Sequence, residues 1–87
     1  MDTREAFEAI RRRVNSDPRK SLVESIFDEH EFGNFWVTFE EAGERLSVVN
    51  DRGQLILFDG PMGDRFRKML VSDLRDANEQ AVLYAVR

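Results

Sequence analysis

Between Phe32 and Gly60, apolar and polar residues alternate along three short runs separated by turn-forming residues. In FWVTFE, Phe35, Val37 and Phe39 point one way and Trp36, Thr38 and Glu40 the other, the period of two that a half-buried strand requires. RLSVVN sets Leu46 and Val48 opposite Val49. QLILFD is apolar on both faces apart from its ends, which predicts a strand that is central or covered on both sides. Glu41-Ala42-Gly43-Glu44 places a glycine where a hairpin loop needs positive φ. Asn50-Asp51-Arg52-Gly53 has Asn first and Gly fourth, the pattern of a type I turn closed by a glycine bulge. The result is a three-stranded antiparallel meander, which is stable only once its apolar face is covered.

The flanks follow a helical rhythm. Asp2 and Glu5 have capping-box spacing, and Ala6, Phe7, Ile10 and Val14 share a stripe, predicting a helix over 3–14. Asn15-Ser16-Asp17-Pro18 breaks it. Asp17 can cap a second helix with Pro18 in its first turn, and Leu22, Val23, Ile26 and Phe27 form a stripe over 18–30, so the two helices make a hairpin before Gly33-Asn34 turns into the sheet. Gly60-Pro61-Met62-Gly63 reads as a loop and Asp64 as a cap. Beyond it Phe66, Leu70, Leu74, Ala77, Ala81 and Tyr84 recur at three- and four-residue steps, predicting helix over 64–86. Two alternatives stand beside that: AVLYAV also alternates as a strand would, and RFRKMLV fits a strand before a shorter helix. The expected fold is a single α+β domain over 1–87, in the order ααβββα.

Composition narrows the function more than it identifies it. Eighty-seven residues support one core, and neither a repeat nor a low-complexity tract suggests an array. Cysteine is absent, so there is no disulfide framework and no thiol chemistry. The start MDTREAFEAIRRR lacks the apolar core of a signal peptide, and no run approaches a membrane span, so the cytoplasm is the expected compartment and no membrane partner is expected. His30 is the single histidine, and Ser21, Ser25 and Ser47 have no nucleophile-turn context, which argues against an enzyme. His30 stands among Asp28, Glu29 and Glu31 with no second His or Cys to complete a metal site, and a surface histidine near a helix end is the plainer reading. The glycines of 60–63 lack the spacing of a phosphate loop. No cofactor or metal is expected.

Charge carries the positive signal. The net charge is +2 over residues 1–20, −7 over 21–59 and +1 over 60–87. The acidic excess therefore sits in Glu24, Asp28, Glu29, Glu31, Glu40, Glu41, Glu44, Asp51 and Asp59, a field that steers a basic partner and repels nucleic acid. General solubility explains part of it. Arg11, Arg12 and Arg13 have Glu5 and Glu8 within helical reach, so a solvated face accounts for them. Trp36 lies opposite the Phe35, Val37 and Phe39 set, so it serves either as a binding anchor or as packing beneath the N-terminal helices.

The block FGNFWVTF followed by LSVVNDRGQLILFDG resembles small bacterial α+β proteins, some of them similar to the immunity partners of polymorphic toxins. The resemblance covers about a third of the chain. It implies a small cytosolic protein that acts by binding one partner, and it transfers no catalytic residues. Two functions are therefore expected in turn. The first is an inhibitor or immunity-like protein that neutralises a basic partner, such as a toxin or nucleic-acid-binding machine, through Asp28, Glu29, Glu31, Trp36, Glu40, Glu41 and Glu44. The alternative is a nucleic-acid-binding or regulatory module using Arg11, Arg12 and Arg13 with Arg65, Arg67 and Lys68.

Overall fold

The computed structural model describes residues 1–60 and 65–87; the expected Asp64 cap and positions 61–63 of the loop lie outside them. The chain forms α1 (Thr3–Ser16), β1 (Lys20–Asp28), β2 (Asn34–Glu41), β3 (Glu44–Asp51), β4 (Gln54–Asp59) and β5 (Arg65–Val71). Short helical pieces follow: a 3-10 turn at Leu74–Asp76, the single turn α2 (Glu79–Val82) and a second 3-10 turn at Tyr84–Val86. All five strands pair antiparallel with their sequence neighbours in the order β1-β2-β3-β4-β5. The class is α+β, but the ααβββα order is overturned: there is one N-terminal helix, not two, and five strands, not three.

Both corrections have the same physical cause. The β1–β2 register skips Val23 between Leu22 and Glu24, a bulge that resets the side-chain alternation. Leu22 and Phe27 therefore face the same side although they are five positions apart, an odd offset, and the run reads as a helical stripe. In β5 the register skips Leu70 and Arg67, so Val71, Lys68 and Arg65 share one side while Met69 and Phe66 share the other. Two bulges thus turn a period of two into a period of three, which imitates a helix. The expected 64–86 helix is cut again further on, where Asp73 accepts from Arg75 N–H and Asn78 from Ala81 N–H, each starting a new short turn.

The central meander occupies the expected residues, and its turns are tighter than the sequence suggests. Ala42 and Gly43 have φ of 52° and 79°, and Arg52 and Gly53 have 53° and 91°. Glu41 pairs with Glu44 and Asp51 with Gln54, so both hairpins close on two residues in type I′ geometry. The second turn is therefore not a type I turn with a bulge. Type I′ matches the right-handed twist of the strands it joins.

One face of the sheet carries the core. Phe35, Val37, Phe39, Leu46, Val48, Leu55, Leu57 and Val71 are buried against Ala6, Phe7, Ile10 and Val14 of α1 and against Leu74, Val82 and Val86 of the C-terminal turns. Phe7 meets both Phe27 and Phe35 with ring centroids 5.4 Å apart. The capping box at the start of α1 is complete: Glu5 N–H donates to Asp2 Oδ1 at 2.7 Å and Asp2 N–H to Glu5 Oε1 at 3.2 Å. Asp17 ends α1 instead of opening a second helix. Its carboxylate takes Arg19 Nη2 at 2.9 Å and Lys20 Nζ at 2.7 Å. The Lys20 side chain is 1% exposed, and its ammonium also donates to the Arg87 carbonyl at 3.1 Å and lies 2.8 Å from Glu41 Oε1. This buried cation ties the α1–β1 corner to the first hairpin and to the last residue of the chain.

Candidate protein-docking site

Strand register sorts the other face into rows that cross the sheet. Ile26 pairs with Trp36, Trp36 with Val49, Val49 with Ile56 and Ile56 with Met69, giving an apolar row that spans all five strands. None of these five belongs to the core cluster. Ile26 and Met69 are exposed, and Trp36, Val49 and Ile56 are half-buried. Trp36 therefore does not pack beneath N-terminal helices. It lines a shallow depression of about 300 Å³ with Val49, Ile56 and Phe58. QLILFD is an interior strand as expected, yet among the described residues no helix lies over its Ile56 and Phe58 side.

The rows on either side differ in character. Toward the β1–β2 connection, Asp28 pairs with Asn34, and Asp51 lies at the end of β3 beside Asn50, the partner of Phe35. Toward the other end, Glu24, Thr38, Ser47, Phe58 and Phe66 form the next row. Thr38 and Ser47 are buried but satisfied, their hydroxyls 2.8 Å apart, with Ser47 Oγ also donating to the Gly60 carbonyl at 2.9 Å. Phe58 and Phe66 meet edge to face at 6.4 Å. Beyond them Arg45 Nη2 pairs with Glu40 Oε1 at 2.8 Å.

The sequence-predicted acidic residues divide into two groups. Asp28, Glu29 and Glu31 gather at the β1–β2 connection, where His30 N–H donates to Asp28 Oδ1 at 3.0 Å. Asp51 joins them, and among the described residues none of these four forms an ion pair. Glu40, Glu41 and Glu44 lie at the opposite end of β2, roughly 20 Å away at the rise of a strand. Arg45 already holds Glu40 and Lys20 holds Glu41, so Glu44 alone is free there among the described residues. The alternative basic set is divided too. Arg11 pairs with Glu8 at 3.0 Å on α1, which packs over β1 and β2, while Arg65, Arg67 and Lys68 lie on β5 at the far edge. There Arg67 pairs with Asp59 at 3.2 Å and Lys68 Nζ sits 4.5 Å from the Tyr84 ring centroid.

Phe32 stands beside the free acids and was not singled out by its sequence. It is 71% exposed and holds φ of 58°, a left-handed conformation that a bulky side chain adopts only under constraint. The Arg52 guanidinium lies 5.3 Å from its ring centroid. Two buried-end hydrogen bonds fix this corner: Asn50 Nδ2 donates to the Gly33 carbonyl and Asn50 Oδ1 accepts from Gly53 N–H, each at 3.0 Å. Asn34 Oδ1 accepts from Arg52 N–H at 2.8 Å, so the β1–β2 connection and the β3–β4 turn are joined from both directions. Among the described residues no helix is long and apolar enough to cross a membrane. The chain matches no family model, no curated protein and no solved structure.

Proposed function

We propose that this chain is a small non-catalytic binding protein of the cytoplasm that neutralises a basic protein partner, in the manner of an inhibitor or immunity protein. The partner docks on the uncovered sheet face. Trp36 is the anchor, Ile26, Val49, Ile56 and Met69 extend it, and Asp28, Glu29, Glu31 and Asp51 receive the partner's cations. One observation carries this reading: an apolar row outside the core cluster crosses the whole sheet, and among the described residues no helix lies over it and the carboxylates along one side form no ion pair. Aromatic anchors with a charged border are the usual makeup of an interface hot spot, and the border governs how fast a basic partner arrives.

The face is a better candidate than the edges. β5 carries two bulges together with Arg65, Arg67 and Lys68, and β1 carries one bulge, devices that deter another strand from adding on. Affinity capture from source cells tests the reading when wild type is compared with Trp36→Ala and with Asp28→Lys/Asp51→Lys. A basic protein held by wild type at low salt, and lost from both variants while their circular dichroism is unchanged, is the expected result. Equal capture by all three, or a low-salt mobility shift of nucleic acid with no protein bound, refutes it.

A further inference from the structure

We propose that Lys68, Tyr84 and Arg87 form a binding site for the doubly charged phosphate group of a small phosphate monoester. The site does not depend on partner docking, because it lies on the opposite side of the sheet from the Trp36 row. An irregularity of register in β5 supplies its first cation. Lys68 pairs with Leu57 and Met69 with Ile56, while Leu70 is skipped before Val71 pairs with Leu55. Without that bulge, alternation counted back from Val71 would place Met69 on the core side and turn Lys68 outward. The bulge does the reverse. A lysine comes to the core side at the sheet edge, and a methionine is left 39% exposed. That exchange runs against burial, and a bulge that re-aims a side chain against the local pattern is a mark of a functional site.

Arg87 supplies the second cation. Lys20 Nζ holds the Arg87 carbonyl at 3.1 Å and Arg87 Nη2 donates to the Gln80 carbonyl at 3.2 Å, which sets the guanidinium 5.4 Å from the Tyr84 ring centroid. Lys68 Nζ is 4.5 Å from the same centroid, so the two cations are at most about 10 Å apart, roughly one Debye length. Among the described residues neither forms an ion pair, and their mutual repulsion stands. Between β5 and the C-terminal turns lies a depression of about 380 Å³ floored by Leu70 and Ala81, and none of its described lining residues is acidic. Asn78 stands in its wall with Oδ1 already taken by Ala81 N–H at 2.9 Å, so what that side chain has left is its amide donor. Two cations and neutral donors over an apolar floor suit a dianion on a small organic body. Each cation gains a charge-assisted hydrogen bond and the repulsion between them is cancelled, whereas a singly charged ligand neutralises only one of them.

Titration of the isotopically labelled full chain with phenyl phosphate, followed by amide NMR at about pH 7.5 where a monoester carries nearly two charges, tests the proposal. At constant ionic strength the expected result is saturable shifts at Lys68, Gln80 and Tyr84, with Trp36 and Ile56 unmoved. Lys68 and Arg87 are exposed, so Lys68→Gln and Arg87→Gln keep the fold, and each weakens binding by about tenfold. Methyl phenyl phosphate, a singly charged diester, should bind more weakly than the monoester by about the same factor. Shifts that never saturate, or wild-type affinity in the Lys68→Gln/Arg87→Gln double variant, overturn the site. Equal affinity for the diester overturns the assignment to a monoester.

Discussion

Replacing Asn50 by Ala removes two hydrogen bonds at once from the corner that holds the candidate site together. The side chain is 1% exposed, and it donates to the Gly33 carbonyl and accepts from Gly53 N–H at 3.0 Å each. A net bond of this kind is worth about 1 kcal/mol, and stranding a buried partner adds more, so with both bonds only partly buried the loss should be about 2–3 kcal/mol. For a domain of this size that lowers Tm by roughly 10–20 °C. Urea unfolding followed by emission of the single Trp36 measures it, since unfolding exposes the indole from its half-buried row. Amide exchange at Gly53 adds a local readout and should accelerate more than exchange at Val37 in the middle of β2. Asn50→Asp separates the two bonds, because it keeps the acceptor for Gly53 and loses the donor for Gly33. A loss under about 1 kcal/mol with Gly53 exchange unchanged would refute the reasoning, because it would leave the two bonds with no structural consequence.

The remaining predictions concern the buried cation, the strained aromatic and acid. Lys20→Met should cost about 3 kcal/mol in urea unfolding, because it leaves Asp17 and Glu41 without their shared cation. Glu41→Lys should likewise destabilise, whereas Glu44→Lys should not; equal melting of those two variants would contradict the ion contact. Phe32→Asn should raise Tm by a few degrees, since relief of a left-handed Phe outweighs an exposed cation–π contact of about 0.5–1 kcal/mol. A fall in Tm would show that the Arg52 contact dominates. Hydrogen bonds from Arg19, and then from Lys20, hold the Asp17 carboxyl well below the usual carboxylate range. A carboxyl depressed in the folded state contributes stability that is present above its unfolded value of about 3.9 and is lost as pH falls below it. Asp17→Asn should flatten that acid limb of a Tm-against-pH curve, and an identical limb in both proteins would count against the assignment.

How much of this could be read from the chain depended on bulges. β2, β3 and β4 pair with one another without a skipped residue, so their alternation reaches the sequence intact and their positions follow from it. β1 and β5 are edge strands, and each hides its alternation behind the bulges that keep it from pairing further; Leu22 to Phe27 and Phe66 to Met69 then look helical. The consequence reached the site. Asp28, Glu29, Glu31 and Trp36 were legible as acids and an aromatic, but Asp51 joins them only through the register. Ile26 was absorbed into a helical stripe, Met69 fell inside the expected 64–86 helix without belonging to its stripe, and β4 read as either central or covered on both sides. Glu40 and Glu41 were legible as charges, while the cis partners that neutralise them, Arg45 and Lys20, emerge only when hairpin and strand are assembled.

Docking of a basic protein on the sheet face that has Ile56 in its middle can be tested directly. A photoreactive phenylalanine derivative at position 56, with a second at position 12 on the exposed side of α1, tests it inside source cells. Illumination should link position 56 to a basic protein distinct from the chain itself, with the yield falling in Asp28→Lys/Asp51→Lys, and position 12 should yield nothing. A partner captured from position 12 and not from position 56 would contradict it.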